Sequence, residues 1–350
     1  MSAQRKNILC IRFSALGDVA LAIPAVYDAC RSNPDANFVF LTRRHPARLF
    51  INAPANLTVE GVDLNEYKGI AGLRRLAREL KGRYAIDTVV DLHDVIRSRV
   101  ISAFLRLGGA RTARIDKGRK EKRRLTRRHN KAVIPLQAVT GRYADTFRRA
   151  GLAAEPRFSS VYGGKKAPEG DFKAVSQPKE PGWSWIAVAP FARQKGKIYP
   201  LHLMERVVAA LAGRERTRVF LMGAGEEERA VLEAWAKKYP ATVNVADISP
   251  GLPAEMALIS HCDVMVSMDS ANMHIASLAG TPVVSVWGAT HPFTGFMGFG
   301  QSADNAVQLD MVCRPCSVFG DKPCMRGDYH CLEGILPQMI VDKVAALLPR

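Results

Sequence analysis

The chain has 350 residues, 47% of them hydrophobic, and a formal net charge of +17. That length and apolar content suit two buried cores better than one, and no apolar run approaches the roughly 18 residues needed to span a bilayer. Arg12 interrupts the only signal-like stretch, residues 8–13, so a cytoplasmic chain without a transmembrane segment is expected.

In chain order, residues 8–12 read as a strand, 18–30 as a helix, 38–41 as a strand, 73–81 as a helix, 88–92 as a strand and 98–107 as a helix. Strands alternating with helices predict a parallel, doubly wound sheet. Residues 162–182 are rich in Gly, Pro and Lys and lack apolar periodicity, which reads as linker. The expected division is an N-terminal domain of residues 1–165, a linker at 166–182 and a C-terminal domain of 183–350. In the second half, strands are expected at 185–189, 218–222, 242–245, 264–267 and 283–287, with helices at 201–211, 226–237, 254–259 and 273–279. A last helix, 336–348, is free to pack on either domain. The fold class is α/β, two Rossmann-like domains.

The charge is concentrated. Residues 97–131 hold fourteen Lys and Arg against Asp116 and Glu121, so this segment supplies +12 of the total. Its core, KGRKEKRRLTRRHNK, has few apolar residues and is expected to be a mobile loop that meets an acidic partner, with Arg123, Arg124 and Arg127 among its contacts. Nucleic acid is one such partner, but no aromatic is interleaved with the charges and no nucleic-acid motif stands nearby. A phosphorylated glycolipid at a membrane surface fits equally well.

Of seven cysteines, Cys10, Cys30 and Cys262 sit in apolar surroundings and read as packed thiols. Cys313, Cys316, Cys324 and Cys331 are separated by two, seven and six residues. Two such pairs can clamp a structural zinc, although the second spacing is long for a knuckle; the alternative is a compact loop of packed thiols. Neither reading makes them catalytic.

Ligands of open α/β sheets sit beyond the carboxyl ends of the strands, which directs attention to four strand-to-helix loops. The first, Ser14-Ala15-Leu16-Gly17-Asp18, has a glycine for a tight turn and a carboxylate suited to taking a proton from a sugar hydroxyl, or to capping a helix. The second, FARQKGKIYP, sets Arg193, Lys195 and Lys197 at alternate positions, suited to a diphosphate leaving group. In the third, Gly223 permits close backbone approach and Glu226 can accept bonds from ribose hydroxyls. The fourth, Asp269-Ser270-Ala271-Asn272, lies between a strand and a helix, where free N–H groups and the helix dipole favour phosphate, though such residues also cap helices.

The opening FSALGDVALAIPA, the Lys197-to-Pro200 motif, the segment MDSANMHIASLAGTPVVSVWGATHPFTGF and the late CRPC cluster together resemble glycosyltransferase family 9, the ADP-heptose:lipopolysaccharide heptosyltransferases. The resemblance implies a GT-B enzyme with the active site between two Rossmann domains, inverting, and requiring no cofactor or catalytic metal. Its donor would be ADP-heptose and its acceptor the Kdo or heptose of the lipopolysaccharide core, met by a peripheral enzyme at the inner leaflet. By position, Asp18 matches the general base, Lys197 the lysine that holds donor phosphate, and Asp269 the aspartate that contacts heptose hydroxyls. Ser270 and Ala271 fall where N–H groups meet the diphosphate, with Asn272 and His274 following on the donor side. His93, Asp94 and Arg97 lie in the stretch that lines the acceptor side, as Ser14 and Gly17 do in the first loop. A lone histidine is also commonly a packed structural residue. The family usually has Asp-Ser/Thr-Gly-Pro-Met-His, so Ala271 adds a methyl group where phosphate approaches. The alternatives are a related GT-B transferase using another nucleotide sugar and, from another class, a basic nucleic-acid-binding protein.

Overall fold

The computed structural model describes residues 5–349, whose contacts divide the chain into two compact units. One comprises residues up to 117 together with 137–163, and the other 118–136 together with 164 onward.

The first unit is built on five parallel strands, β1 (Asn7–Ile11), β2 (Asn37–Arg43), β3 (Leu57–Val62), β4 (Thr88–Asp91) and β5 (Arg111–Arg114), in the order β3-β2-β1-β4-β5. The central strands are apolar throughout because helices cover both faces. Leu9, Ile11, Val39, Leu41 and Val89 pack against Leu73, Leu76 and Leu80 of helix Gly69–Tyr84 and Ile101 and Leu105 of helix Ile96–Leu107. Helices Leu16–Ser32 and Val139–Arg149 lie on the other side, where Phe38 meets Phe147 edge-on at 6.5 Å. Strands β3 and β5 were not expected. Both are outermost in the sheet, and an edge strand with a solvated side needs no continuous apolar run.

The second unit has six parallel strands, β6 (Ser184–Ala189), β7 (Thr217–Leu221), β8 (Thr242–Asn244), β9 (Val264–Met268), β10 (Val283–Val286) and β11 (Ala306–Val307), in the order β11-β10-β9-β6-β7-β8. Val188, Leu221, Val266 and Val286 share a core with Met204, Val207 and Leu211 of helix Leu201–Ala212. Ile340 and Val344 of helix Pro337–Leu347 join the same core, which assigns the final helix to this unit.

Two expectations about connecting segments change. Residues 166–182 are not a loose linker: Phe172 is fully buried against Trp185, the Ala167 N–H donates to Ser260 Oγ at 3.0 Å, and Lys179 pairs with Asp263 at 2.6 Å. The core of the basic segment is not a bare mobile loop of the first unit either. It forms helix Arg119–Thr126, anchored by buried Leu125, and groups with the second unit. Lys131 Nζ donates to the carbonyls of Cys313 at 2.7 Å and Pro315 at 3.0 Å, Lys122 Nζ stands 4.4 Å over the Phe296 ring, and the Leu136 N–H donates to the Phe293 carbonyl at 3.0 Å. Backbone carbonyls and an aromatic face accept two of the cations, which removes the need for a carboxylate at each.

Two buried polar groups pin the loops at the strand ends. Arg314 is 4% exposed and spends its donors on the carbonyls of Gly288, Trp287, Thr290 and Leu309 and on Gln308 Oε1. Arg314→Leu would orphan these buried acceptors, and we expect a loss on the order of 3 kcal/mol, read as a lower urea midpoint at unchanged slope. His93 Nδ1 accepts the Phe13 N–H at 3.3 Å; burial, followed by the charges of Arg12 and Lys117, pushes its pKa down to about 3. The unfolded imidazole titrates near 6.5, so stability falls as pH drops from about 6.5 toward 3, by up to about 1.4 kcal/mol per unit. His93→Gln keeps an acceptor for Phe13 and should flatten that slope in urea titrations run at several pH values; an unchanged slope would assign the acid sensitivity elsewhere.

Candidate functional site

In a doubly wound parallel sheet the chain leaves neighbouring strands in opposite directions at one point, and a crevice opens there at the carboxyl edge. In the first unit that point lies between β1 and β4, and in the second between β6 and β9.

At the first, Asp18 sits in the opening turn of helix Leu16–Ser32. Its carboxylate accepts the Ala15 N–H at 3.1 Å and pairs with Arg12 at 2.7 Å, and its side chain is 25% exposed. The helix-capping role and an accessible carboxylate therefore coexist. Gly17 is buried beneath it and Ser14 is half-buried. Arg12, whose side chain is 9% exposed, also donates to the Leu92 carbonyl at 2.9 Å and lies 6.0 Å from the centre of the Tyr143 ring. Burial opposes its charge, but Tyr143 and Asp18 outweigh that and hold the guanidinium above its ordinary pKa.

The loop after β4 is organised by Asp91, which accepts the N–H groups of His93 and Asp94 at 2.9 and 2.8 Å and the Ser98 hydroxyl at 3.0 Å. His93 is buried and neutral. The Asp94 carboxylate is engaged by Arg99 at 2.7 Å and by Arg114 at 3.4 Å, which ties β5 to this loop. Arg97 projects to solvent from the first turn of helix Ile96–Leu107. Arg123, Arg124 and Arg127 are exposed and group with the second unit, whereas Arg97 belongs to the first.

At the second point, Lys197 Nζ lies 2.8 Å from Asp269 Oδ2, with side chains only 16% and 5% exposed. Lys197 follows β6 in a single 3-10 turn, Lys195–Lys197, and Asp269 follows β9 directly. The turn is seated by glycine: a Cβ on Gly196 would fall 2.9 Å from Ala289 Cβ and 3.0 Å from the Gly320 carbonyl. Ser270 precedes helix Ala271–Ala279, whose opening N–H groups, on Ala271 and Asn272, have no acceptor within the helix. His274 is buried one turn in. A cation, a carboxylate and a helix N-terminus are thus concentrated where a diphosphate and a polyhydroxyl group could both be held.

The remaining donor-side residues stand further out. Lys195 Nζ lies 5.1 Å over the Tyr329 ring, and Arg193 is exposed. Glu226 is exposed at the start of helix Glu226–Lys238, while Glu228 turns back to accept the Ala224 N–H at 2.8 Å beside Gly223. The late cysteines line one narrow cavity with Arg314 and Tyr329. Burial pushes the Cys316 thiol up and the Cys331 thiol to about 11. Among the described residues no three His, Cys, Asp or Glu side chains are grouped so as to hold a metal ion.

Arg12, Asp91 and Arg314 were not anticipated as organisers of these loops. Each had a signal available, since a charged residue inside or ending a buried apolar strand, or between clustered cysteines, needs a partner to be tolerated.

Residues 73–325 match the model of the family described as glycosyltransferase family 9 (heptosyltransferase). Lipopolysaccharide heptosyltransferase 3 of Escherichia coli is 22% identical over 285 residues, 78% of this chain and 81% of that protein. Among solved structures, a family 9 glycosyl transferase from Veillonella parvula superposes with a TM-score of 0.74 at 15% identity, covering 99% of this chain and 98% of that one. The E. coli heptosyltransferase WaaC with ADP gives 0.66 at 15% identity, covering 98% and 100%. A family match over most of the length, joined to two parallel-sheet α/β units of GT-B type, establishes that the chain belongs to glycosyltransferase family 9, the heptosyltransferases.

Proposed function

We propose that the protein transfers L-glycero-D-manno-heptose from ADP-heptose to the Kdo or heptose of the lipopolysaccharide inner core, with inversion. The observation that carries this reading is the Lys197–Asp269 pair at 2.8 Å, at the carboxyl edge of the second sheet beside a helix N-terminus. It is a site for a diphosphate joined to a sugar.

In this reaction Asp18 accepts the proton of the acceptor hydroxyl while Arg12 and the Ala15 N–H orient its carboxylate. The acceptor oxygen forms a bond to the anomeric carbon on the face opposite the diphosphate. The bond from that carbon to phosphate breaks, and its electron pair leaves with ADP. Lys197 and the free N–H groups at Ala271 and Asn272 meet the growing negative charge, and Asp269 holds the lysine and bonds heptose hydroxyls. His93 is no competing base, because its pKa is pushed down to about 3 and its Nδ1 already accepts the Phe13 N–H.

The same reading places the enzyme at the cytoplasmic face of the membrane that carries the acceptor. No helix among the described residues is long and apolar enough to cross it. Exposed cations along 119–128, followed by exposed Val133 and Ile134, fit an anionic lipid surface. A second reading, a different nucleotide sugar, draws on Ala271, whose methyl group narrows the approach to the helix N-terminus.

Asp18→Asn should lower kcat by about 10² to 10⁴ without weakening the donor, measured by mass spectrometry of products from ADP-heptose and defined core acceptors. Wild-type turnover in that variant would sink the assignment of the base. Lys197→Ala should lower kcat/KM for the donor by about 10² to 10³ and leave the acceptor KM within a factor of two. Transfer from another nucleotide sugar, with none from ADP-heptose, would select the second reading.

A further inference from the structure

One cation cluster has no part in the chemistry above. Arg43 ends β2, Arg44 and His45 follow it in the short helix Arg44–Ala47, and Arg97 approaches from helix Ile96–Leu107. With Asp63, just beyond β3, they line a concavity of about 280 Å³. It gathers three guanidiniums against one carboxylate, with the His45 imidazole beside them, and Asp63 already accepts the Asn65 N–H at 2.9 Å. Arg44 reaches out to Glu66 at 2.9 Å, but Arg43 and Arg97 pair with no carboxylate among the described residues. Guanidiniums that outnumber the carboxylates around a hollow repel one another, and their planar forks match a carboxylate or a phosphate.

The placement is as informative as the charge. Strand β2 is the direct neighbour of β1, with Leu41 opposite Ile11 and the two strands parallel. Arg43 and Phe13 therefore leave the sheet level with each other, about 5 Å apart in the sheet direction. Arg43 is among the cations that disfavour a charged His93, and His93 accepts the Phe13 N–H just ahead of the loop that ends in Asp18. The hollow stands one strand away from the proposed base, on the same edge of the same sheet.

We propose that Arg43, Arg44, His45 and Arg97 form an anion subsite that takes a carboxylate or phosphate of the acceptor and so sets which hydroxyl is presented to Asp18. The proposal rests on the reading of that edge as the acceptor side. It identifies specificity-determining residues that touch the acceptor away from its reacting oxygen, and it requires an acidic acceptor. A neutral oligosaccharide of the same shape would leave the guanidiniums unmatched.

The test uses the full chain and the double variant Arg43→Gln/Arg97→Gln, checked for an unchanged melting temperature. The acceptor KM should rise about tenfold or more, while kcat at saturating acceptor and the donor KM stay within a factor of two. Esterifying the acceptor carboxylates, or removing its phosphates with phosphatase, should raise the wild-type KM by a similar factor and leave the variant unaffected; the treatment that does so names the group bound. Independently of transfer, inorganic phosphate or acetate should shift the His45 imidazole resonances of the wild-type protein and not those of the variant. An acceptor KM unaltered in the variant, a wild-type KM indifferent to both treatments, or His45 resonances unmoved by either anion would each overturn the subsite. Should no heptose be transferred to any core acceptor while the anions still move His45 in an arginine-dependent way, the proposed function fails and the subsite stands.

Discussion

A guanidinium cannot shed its proton on burial, so Arg12 must be given partners where it stands. It takes the Leu92 carbonyl beyond β4, the Asp18 carboxylate beyond β1 and the Tyr143 ring from helix Val139–Arg149. Three separate pieces of chain are thereby held around one charge, and burial together with that charge keeps the neighbouring imidazole neutral. The first unit's edge depends on this contact: remove the positive centre and Asp18 loses one of the partners that orient it, while His93 loses the largest of the charges opposing its protonation.

The second unit solves a similar problem with the cation reversed in role. Arg314 is consumed by backbone carbonyls and organises loops, whereas Lys197 has a single carboxylate partner among the described residues. A lysine held by one acid can turn toward a phosphate without breaking a lattice of bonds. An arginine with five acceptors cannot. The contrast separates a structural cation from one available to a ligand, although both are largely buried.

Much of the architecture was legible in the chain because parallel strands buried on both faces must be apolar end to end. The runs at 8–12, 88–92, 185–189 and 264–267 read as such strands. The outer strands escaped because RTAR at β5 and the two residues of β11 need cover on one side only. Positions at strand ends, among them residues 18, 197 and 269, follow from the same alternation. What pairs with them does not, since Arg12 meeting Asp18 and Asp94 meeting Arg114 depend on how loops close in space. The basic segment was misjudged on composition: one buried leucine, Leu125, and carbonyl acceptors on a distant loop suffice to order it.

That distant anchoring has a consequence for biosynthesis. Lys131 is secured by the carbonyl of a residue 182 positions later in the chain. At the usual pace of translation, about 5–20 residues per second, the polycationic stretch emerges from the ribosome on the order of 10 to 40 s before its anchor exists. Throughout that interval the carbonyls that receive Lys131 do not yet exist, so this contact can form only once the C-terminal loop has been made.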